Sequence, residues 1–146
     1  MTRVVIDTTT LVSGFVRPEP PPGRLIAIWQ QRLFVLVTAE ALIAEVEHTL
    51  ATPYFVRALE PGRARRYLEL LRREAVVVPI VRTVSGVATH PEDDVVLAAA
   101  LSGGAQFVVT SDYGLLRLGR YRELVIVSAA QFLAMLPGLI SPDDPS

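Results

Sequence analysis

The sequence predicts an α/β fold in which helices cover both faces of a central, mostly parallel sheet of five strands. Short apolar runs alternate along the chain with longer segments of helical periodicity. The runs are solidly apolar, which is typical of parallel strands buried on both faces. With 146 residues, of which 51% are hydrophobic, the chain has enough apolar material for one core. We therefore expect a single domain over residues 1–137 and a flexible C-terminal tail over 138–146.

The five strands are predicted from apolar runs at 3–6, 34–37, 75–78, 106–109 and 125–127. The helices between them are bounded by breakers and caps. Four prolines between positions 18 and 22 end a first helix over 9–16. Thr38 is expected to cap a helix that runs to about residue 50. Pro91 opens a helix that ends at Gly103-Gly104, and the last helix is predicted over 129–136.

Composition excludes several classes of function. The chain has no cysteine, so disulfides, thiolate metal sites and cysteine nucleophiles are ruled out. No apolar run is as long as a membrane span, and the N-terminus lacks a signal-peptide pattern, so we expect a cytoplasmic protein with no membrane contact. The net charge of -1 does not by itself indicate a nucleic-acid binder.

The basic residues are all arginine, 14 in number, and they are clustered. Six lie between Arg57 and Arg73, and a second group contains Arg117, Arg120 and Arg122. Arginine suits bidentate contact with phosphate. For the first cluster, a solvated helix face is the favoured interpretation.

Acidic residues follow two of the predicted strands. Asp7 comes directly after the first strand and Asp112 after the fourth, so both belong at the edge where parallel α/β sheets bind ligands. Asp94, with Asp93 beside it, lies in the first turn of the helix before the fourth strand. The helix after the second strand adds Glu40, Glu45 and Glu47. Each acid also has an ordinary explanation as a turn, a helix cap, a dipole partner or a solvated surface residue.

Several carboxylates within about 5 Å of one another would repel by roughly 3 kcal/mol per pair at an effective dielectric constant near 20. Such a cluster needs protons or a cation, and Mg²⁺ or Mn²⁺ suits all-oxygen ligation better than zinc does. The expected chemistry is phosphodiester hydrolysis. Helical periodicity places Glu45 and Glu47 at comparable angles on either side of the apolar stripe, so it does not choose between them.

Four segments, in this order and spacing, resemble PIN domains. Residues 4–13 resemble the family's opening strand, which runs into Asp-Thr-Asn. Residues 93–100 are similar to its acid followed three residues later by an apolar-Ala-Ala stretch. Residues 108–112 resemble its late strand ending in Thr-x-Asp. Residues 125–128 with Phe132-Leu133 resemble the subgroup of VapC-like toxin components. The resemblance extends from Arg3 to Leu136.

The resemblance implies a three-layer α/β/α PIN-like fold, magnesium-dependent ribonuclease activity, and often a toxin role with a small antitoxin protein as partner. It assigns Asp7, Glu45, Asp94 and Asp112 as the catalytic acids and metal ligands. Glu45 is chosen over Glu47 on this ground alone. Asp93 is expected to be a neighbour, because Asp94 has the right distance to residues 97–99.

Two threonines are expected to support the acids. Thr9 stands where the family usually has asparagine, and a threonine offers a shorter reach and a single donor, so activity could be weakened. Thr110 is expected to hydrogen-bond an acid. His48 is expected to be a solvated helix residue. His90 lies near the expected site, but it is expected to be a loop residue and not a ligand.

The main hypothesis is therefore a metal-dependent ribonuclease that hydrolyses RNA, the toxin of a toxin–antitoxin pair, and a homodimer by analogy with PIN-like proteins. The alternative is a catalytically weakened PIN-fold module that binds RNA or protein. Thr9, in place of the family's usual asparagine, is the feature that favours it. A phosphatase or phosphotransferase is disfavoured, because the first strand lacks Asp-x-Asp. A nucleotide-cofactor enzyme is disfavoured as well, because no glycine-rich loop follows any strand.

Overall fold

A computed structural model describes residues 1–17 and 19–140 of the chain. Its strands are β1 (Arg3–Ile6), β2 (Val35–Thr38), β3 (Val76–Val77), β4 (Phe107–Val109), β5 (Arg120–Tyr121) and β6 (Leu124–Val127). Its helices are α1 (Thr8–Val16), α2 (Pro22–Gln30), α3 (Glu40–Leu50), α4 (Pro53–Ala58), α5 (Arg63–Glu74), α6 (Pro91–Ser102), α7 (Tyr113–Leu118) and α8 (Ala129–Leu139).

The strands form one sheet in the order β3-β2-β1-β4-β6-β5, and every neighbouring pair is parallel except β5 with β6. The predicted α/β fold with a central, mostly parallel sheet is confirmed. The sheet has six strands rather than five. The additional strand, β5, has only two residues and forms a hairpin with β6, with Arg122 in the turn at a φ of 51°.

Apolar side chains pack on both faces of the sheet, which gives three layers. Val4 and Ile6 of β1 belong to a cluster with residues of α1, α2, α3, α5 and α8, whereas Val5 belongs to a second cluster formed mainly with α6. This alternation follows from the period of two along a strand. The continuous apolar character of β1 therefore reflects burial on both sides.

Two helix ends differ from the predictions. Thr38 is the last residue of β2, and Ala39 precedes α3 without a side-chain cap, so Thr38 does not cap the helix. Helix α8 continues past the predicted end at residue 136 and includes Pro137. Pro137 has no N–H to donate to the carbonyl four residues earlier, so the last turn lacks one backbone hydrogen bond. Of the tail predicted over 138–146, residues 141–146 lie outside the described residues.

The chain order reverses at the centre of the sheet. From β1 the chain proceeds outward through β2 and β3, and it then crosses to β4 on the other side of β1. A crevice outside the carboxyl ends of β1 and β4 follows from this topology, and ligands of open α/β sheets bind at such a point. Within the described residues, no helix combines the length and apolar character needed to cross a membrane.

Candidate active site

A cleft of about 370 Å³ opens at the crevice beyond β1 and β4. Residues from the starts of α1, α6 and α7 and from the middle of α3 meet there. The lining residues are Asp7, Thr8, Thr9, Glu45, His90, Glu92, Asp93, Val96, Ser111, Asp112 and Tyr113. Of the four predicted acids, the cleft brings together Asp7, Glu45 and Asp112.

Asp7 is buried and held on both carboxylate oxygens. It caps α1, since its Oδ1 accepts a hydrogen bond of 3.0 Å from the backbone N–H of Thr10. Its Oδ2 accepts a hydrogen bond from the Thr110 hydroxyl. Asp7 is therefore both a helix cap and a cleft residue, and its two hydrogen bonds fix the orientation of the carboxylate.

Thr110 connects the ends of β1 and β4. Its hydroxyl donates to Asp7 and accepts a hydrogen bond of 2.9 Å from the backbone N–H of Asp112. The residue is almost fully buried, so solvent does not compete for these bonds. One hydroxyl thus sets the relative position of two acids that are far apart in the sequence.

Asp112 caps α7 through a hydrogen bond of 2.8 Å from the Leu115 backbone N–H to Oδ2. Gly114 packs closely beside this carboxylate. A Cβ at position 114 would lie 3.1 Å from Asp112 Oδ2 and 3.1 Å from Thr89 Oγ1. The small residue therefore allows the loop before α6 to approach Asp112.

Glu45 is the glutamate of α3 that lines the cleft. Its Oε2 accepts a hydrogen bond of 2.8 Å from the Thr8 hydroxyl. Glu40 instead forms an ion pair of 2.8 Å with Arg72 on the surface, and Glu47 is exposed. The positions of the side chains therefore place only Glu45 in the cleft, whereas helical periodicity did not choose between Glu45 and Glu47.

Asp93 also lines the cleft, on the same side of α6 as Val96 three residues later. Partial burial is the main reason that its pKa rises from the ordinary 3.8 to about 6. The negative charges of Asp112 and Asp7 raise this pKa further, and His90 opposes the rise. These effects mean that the charges of three aspartates interact across the cleft.

Asp94 is not among the cleft residues, contrary to the expectation from the sequence. Its carboxylate is buried and accepts three backbone hydrogen bonds from the loop before α6. The donors are the N–H groups of Gly86 at 3.0 Å, Val87 at 3.2 Å and Ala88 at 2.7 Å. Adjacent residues on a helix point about 100° apart, so only Asp93 of this pair faces the cleft. Asp94 anchors the loop instead.

A family model described as PIN domain matches residues 3–114 of the chain, and this range includes every acid of the cleft. The chain belongs to the PIN domain family. No curated protein matches its sequence.

Three solved structures share the PIN fold of this chain. The first is VapBC2 from Rickettsia felis bound to a DNA fragment from their promoter, with 9% identity, a TM-score of 0.61 and coverage of 86% of this chain and 97% of that one. FitAcB from Neisseria gonorrhoeae has 15% identity, a TM-score of 0.52 and coverage of 87% and 98%. PAE2754 from Pyrobaculum aerophilum has 16% identity, a TM-score of 0.51 and coverage of 94% and 98%.

Thr8 and Thr9 follow Asp7, and only one of them contacts an acid of the cleft. Thr9 lines the cleft and is exposed, whereas it is Thr8 that donates to Glu45. Thr8 was not predicted as a site residue. His90 was expected near the site as a loop residue and not as a ligand, and it lines the cleft. A threonine next to the first acid, at the start of a helix, was the available signal for Thr8.

The cleft acids suit a hard cation by chemistry, because they offer only carboxylate oxygens. As the side chains stand, no group of three or more acidic or histidine residues within 1–17 and 19–140 is arranged to hold a metal ion. Glu45, Asp93 and Asp112 are only partly buried, so their carboxylates are in part accessible to solvent.

Proposed function

We propose that this PIN-domain chain is a divalent-metal-dependent ribonuclease whose acids are Asp7, Glu45, Asp93 and Asp112. One observation carries the proposal: carboxylates from four separate parts of the chain open into a single cleft where the strand order reverses. Asp93 replaces Asp94 in the set predicted from the sequence, because the Asp94 carboxylate is committed to backbone N–H groups.

Mutual repulsion within the cleft supports a role for Mg²⁺ or Mn²⁺. Partial burial is the main cause of the raised pKa of Asp93, and the negative charges of Asp112 and Asp7 add to it, so a charged carboxylate at this position has a cost. A cation among the acids removes that cost. When bound, the ion would supply positive charge to the phosphoryl oxygens and favour the deprotonation of water.

The protein's own residues would orient the acids before substrate arrives. Thr110 and the Thr10 backbone N–H fix both oxygens of Asp7, so this carboxylate presents one geometry to the cleft. Thr8 holds one oxygen of Glu45 and leaves the other for a ligand or a water molecule. Asp94 anchors the loop that leads to His90 and thereby positions the wall of the cleft.

The RNA substrate and the toxin role rest on the family resemblance. Two of the similar structures are VapBC2 and FitAcB, which is consistent with a small antitoxin protein as partner for this chain. We infer action in the cytoplasm, where such a partner and RNA substrates are found. The homodimer stays a prediction, and light scattering on the purified protein tests it.

Two glutamates of α3 provide a matched test of the ribonuclease proposal. Glu45→Gln removes a charge from the cleft, whereas Glu47→Gln removes the same charge from the exposed side of the helix. With end-labelled single-stranded RNA and Mg²⁺ or Mn²⁺, we expect Glu45→Gln to slow cleavage by at least about tenfold. Glu47→Gln should cleave at the wild-type rate.

Asp112→Asn extends the test to a second acid of the cleft, and it should abolish cleavage. Cleavage at the wild-type rate by both Glu45→Gln and Asp112→Asn, with circular dichroism showing that both are folded, would exclude this cleft as the active site.

The second candidate is an RNA-binding module without activity. Thr9 favours this candidate, because it stands at the position where PIN domains usually have asparagine. RNA binding by the wild-type protein with no product in either metal would support this candidate over the enzyme.

A further inference from the structure

Tyr113 is an exposed aromatic residue at the mouth of the acidic cleft. It follows Asp112 directly and lines the cleft, yet 74% of its surface is open to solvent. Because Asp112 caps α7 and Tyr113 is the first residue of that helix, the backbone fixes the ring's starting point beside the carboxylate. An aromatic ring held there lies next to the position that a scissile phosphate would occupy.

Arg117 covers one face of the Tyr113 ring. Its guanidinium carbon lies 5.7 Å from the ring centroid, as expected for residues four apart on a helix. In the part of the chain that the structure describes, no other aromatic ring packs on Tyr113 and Arg117 forms no ion pair. The opposite ring face and the positive charge are thus both available to a ligand.

We propose that Tyr113 and Arg117 form a platform on which an unpaired nucleobase stacks, next to the phosphate held in the cleft. The inference rests on the proposed ribonuclease function and adds to it a stacking site for one unpaired base. Acidic residues repel a polyanion, so binding needs attraction from elsewhere. Base stacking on an aromatic ring, with a guanidinium to pair with the adjacent phosphate, supplies it. Bases inside a duplex are already stacked and cannot use the ring.

A binding cycle between the ring and one base tests the platform. The probes are a short unstructured RNA and copies with an abasic nucleotide at each position in turn, and Ca²⁺ replaces Mg²⁺ so that binding is measured by fluorescence anisotropy without turnover. Tyr113→Leu should weaken binding by about 5- to 150-fold, and Tyr113→Phe should retain it. Tyr54→Leu, the same change at an exposed tyrosine outside the cleft, is the control.

The stacked base should appear as one position in the RNA. When that nucleotide is abasic, binding by wild type should weaken by the same factor that Tyr113→Leu causes with intact RNA. Binding by Tyr113→Leu should weaken only slightly further when the same base is removed. Equal affinity of Tyr113→Leu and wild type for intact RNA would overturn the platform. So would a loss of affinity on Tyr113→Leu substitution that is the same for intact RNA and for every abasic RNA.

Cleavage by the wild-type protein in Mg²⁺ or Mn²⁺ separates this inference from the proposed function. Cleavage with a KM that does not depend on Tyr113 overturns the platform alone. Binding that depends on Tyr113 without any cleavage overturns the ribonuclease and leaves the platform in place. A wild-type protein that neither binds nor cleaves RNA overturns both.

Discussion

Replacing Asp94 by asparagine tests the different positions of the two adjacent aspartates. In the wild-type protein, both oxygens of Asp94 accept backbone hydrogen bonds, one from Gly86 and two from Val87 and Ala88. Asparagine keeps one oxygen and places an NH₂ group where the other accepted a bond. At least one backbone N–H then faces a donor, and the remaining hydrogen bonds are made to a neutral acceptor and not to a carboxylate.

The magnitude follows from the number of bonds. A hydrogen bond to a charged group contributes about 1.5–3 kcal/mol, and a buried donor left without a partner costs about 1–3 kcal/mol. We therefore expect Asp94→Asn to lower the free energy of unfolding by about 2–4 kcal/mol. For a chain of this length that loss corresponds to a decrease of about 5–15 °C in Tm.

The assay is urea unfolding followed by the fluorescence of Trp29, which is buried in the core, and by circular dichroism. Asp93→Asn is the matched control, because Asp93 lines the cleft and, within the described residues, its carboxylate accepts no backbone hydrogen bond, unlike that of Asp94. It should not destabilise the fold. Equal midpoints for Asp94→Asn and wild type would refute the anchoring role of Asp94.

Two further predictions concern the cleft. The pKa of Asp93 is about 6 in the folded protein and 3.8 when unperturbed, so the fold favours its protonated form and loses stability as the pH rises from about 4 to 6. That shift corresponds to about 3 kcal/mol, which solvent screening of this partly exposed group reduces to about 1 kcal/mol. In EDTA, urea midpoints should therefore show Asp93→Asn to be more stable than wild type at pH 7.5 but not at pH 3.5, and a difference that does not vary with pH would contradict this. Thr110→Val should destabilise the fold by about 2 kcal/mol and slow RNA cleavage at least about tenfold, because Asp7 loses a donor. A Thr110→Val enzyme with wild-type kinetics would show that this bond does not position the acid.

The sheet and two of the acids could be predicted because chain connectivity determines them. Short, solidly apolar runs that alternate with helical segments predict strands buried on both faces, and residues within a few positions after a central parallel strand lie at the carboxyl edge of the sheet. Asp7 and Asp112 lie at this edge whatever the orientation of their side chains. Strand β5 has too few residues to produce a pattern, and so the sequence did not predict it.

The choice between Asp93 and Asp94 could not be made from the sequence. Residues 96–101 of α6 are all buried, so the helix has no polar face whose direction would assign its first-turn acids. The choice depends on the loop before the helix, where Gly86 adopts a φ of +71° and three successive N–H groups turn toward Asp94. That arrangement is a tertiary contact, and local periodicity does not encode it.

Calorimetric titration with Mn²⁺ tests most directly whether the cleft acids hold a divalent cation. Wild type should bind the ion with a measurable heat, Asp93→Asn should bind it at least about tenfold more weakly, and Asp94→Asn, measured at a temperature where it is folded, should bind it like wild type. A wild-type protein that binds no Mn²⁺ would contradict the account, as would loss of binding in Asp94→Asn with full binding in Asp93→Asn.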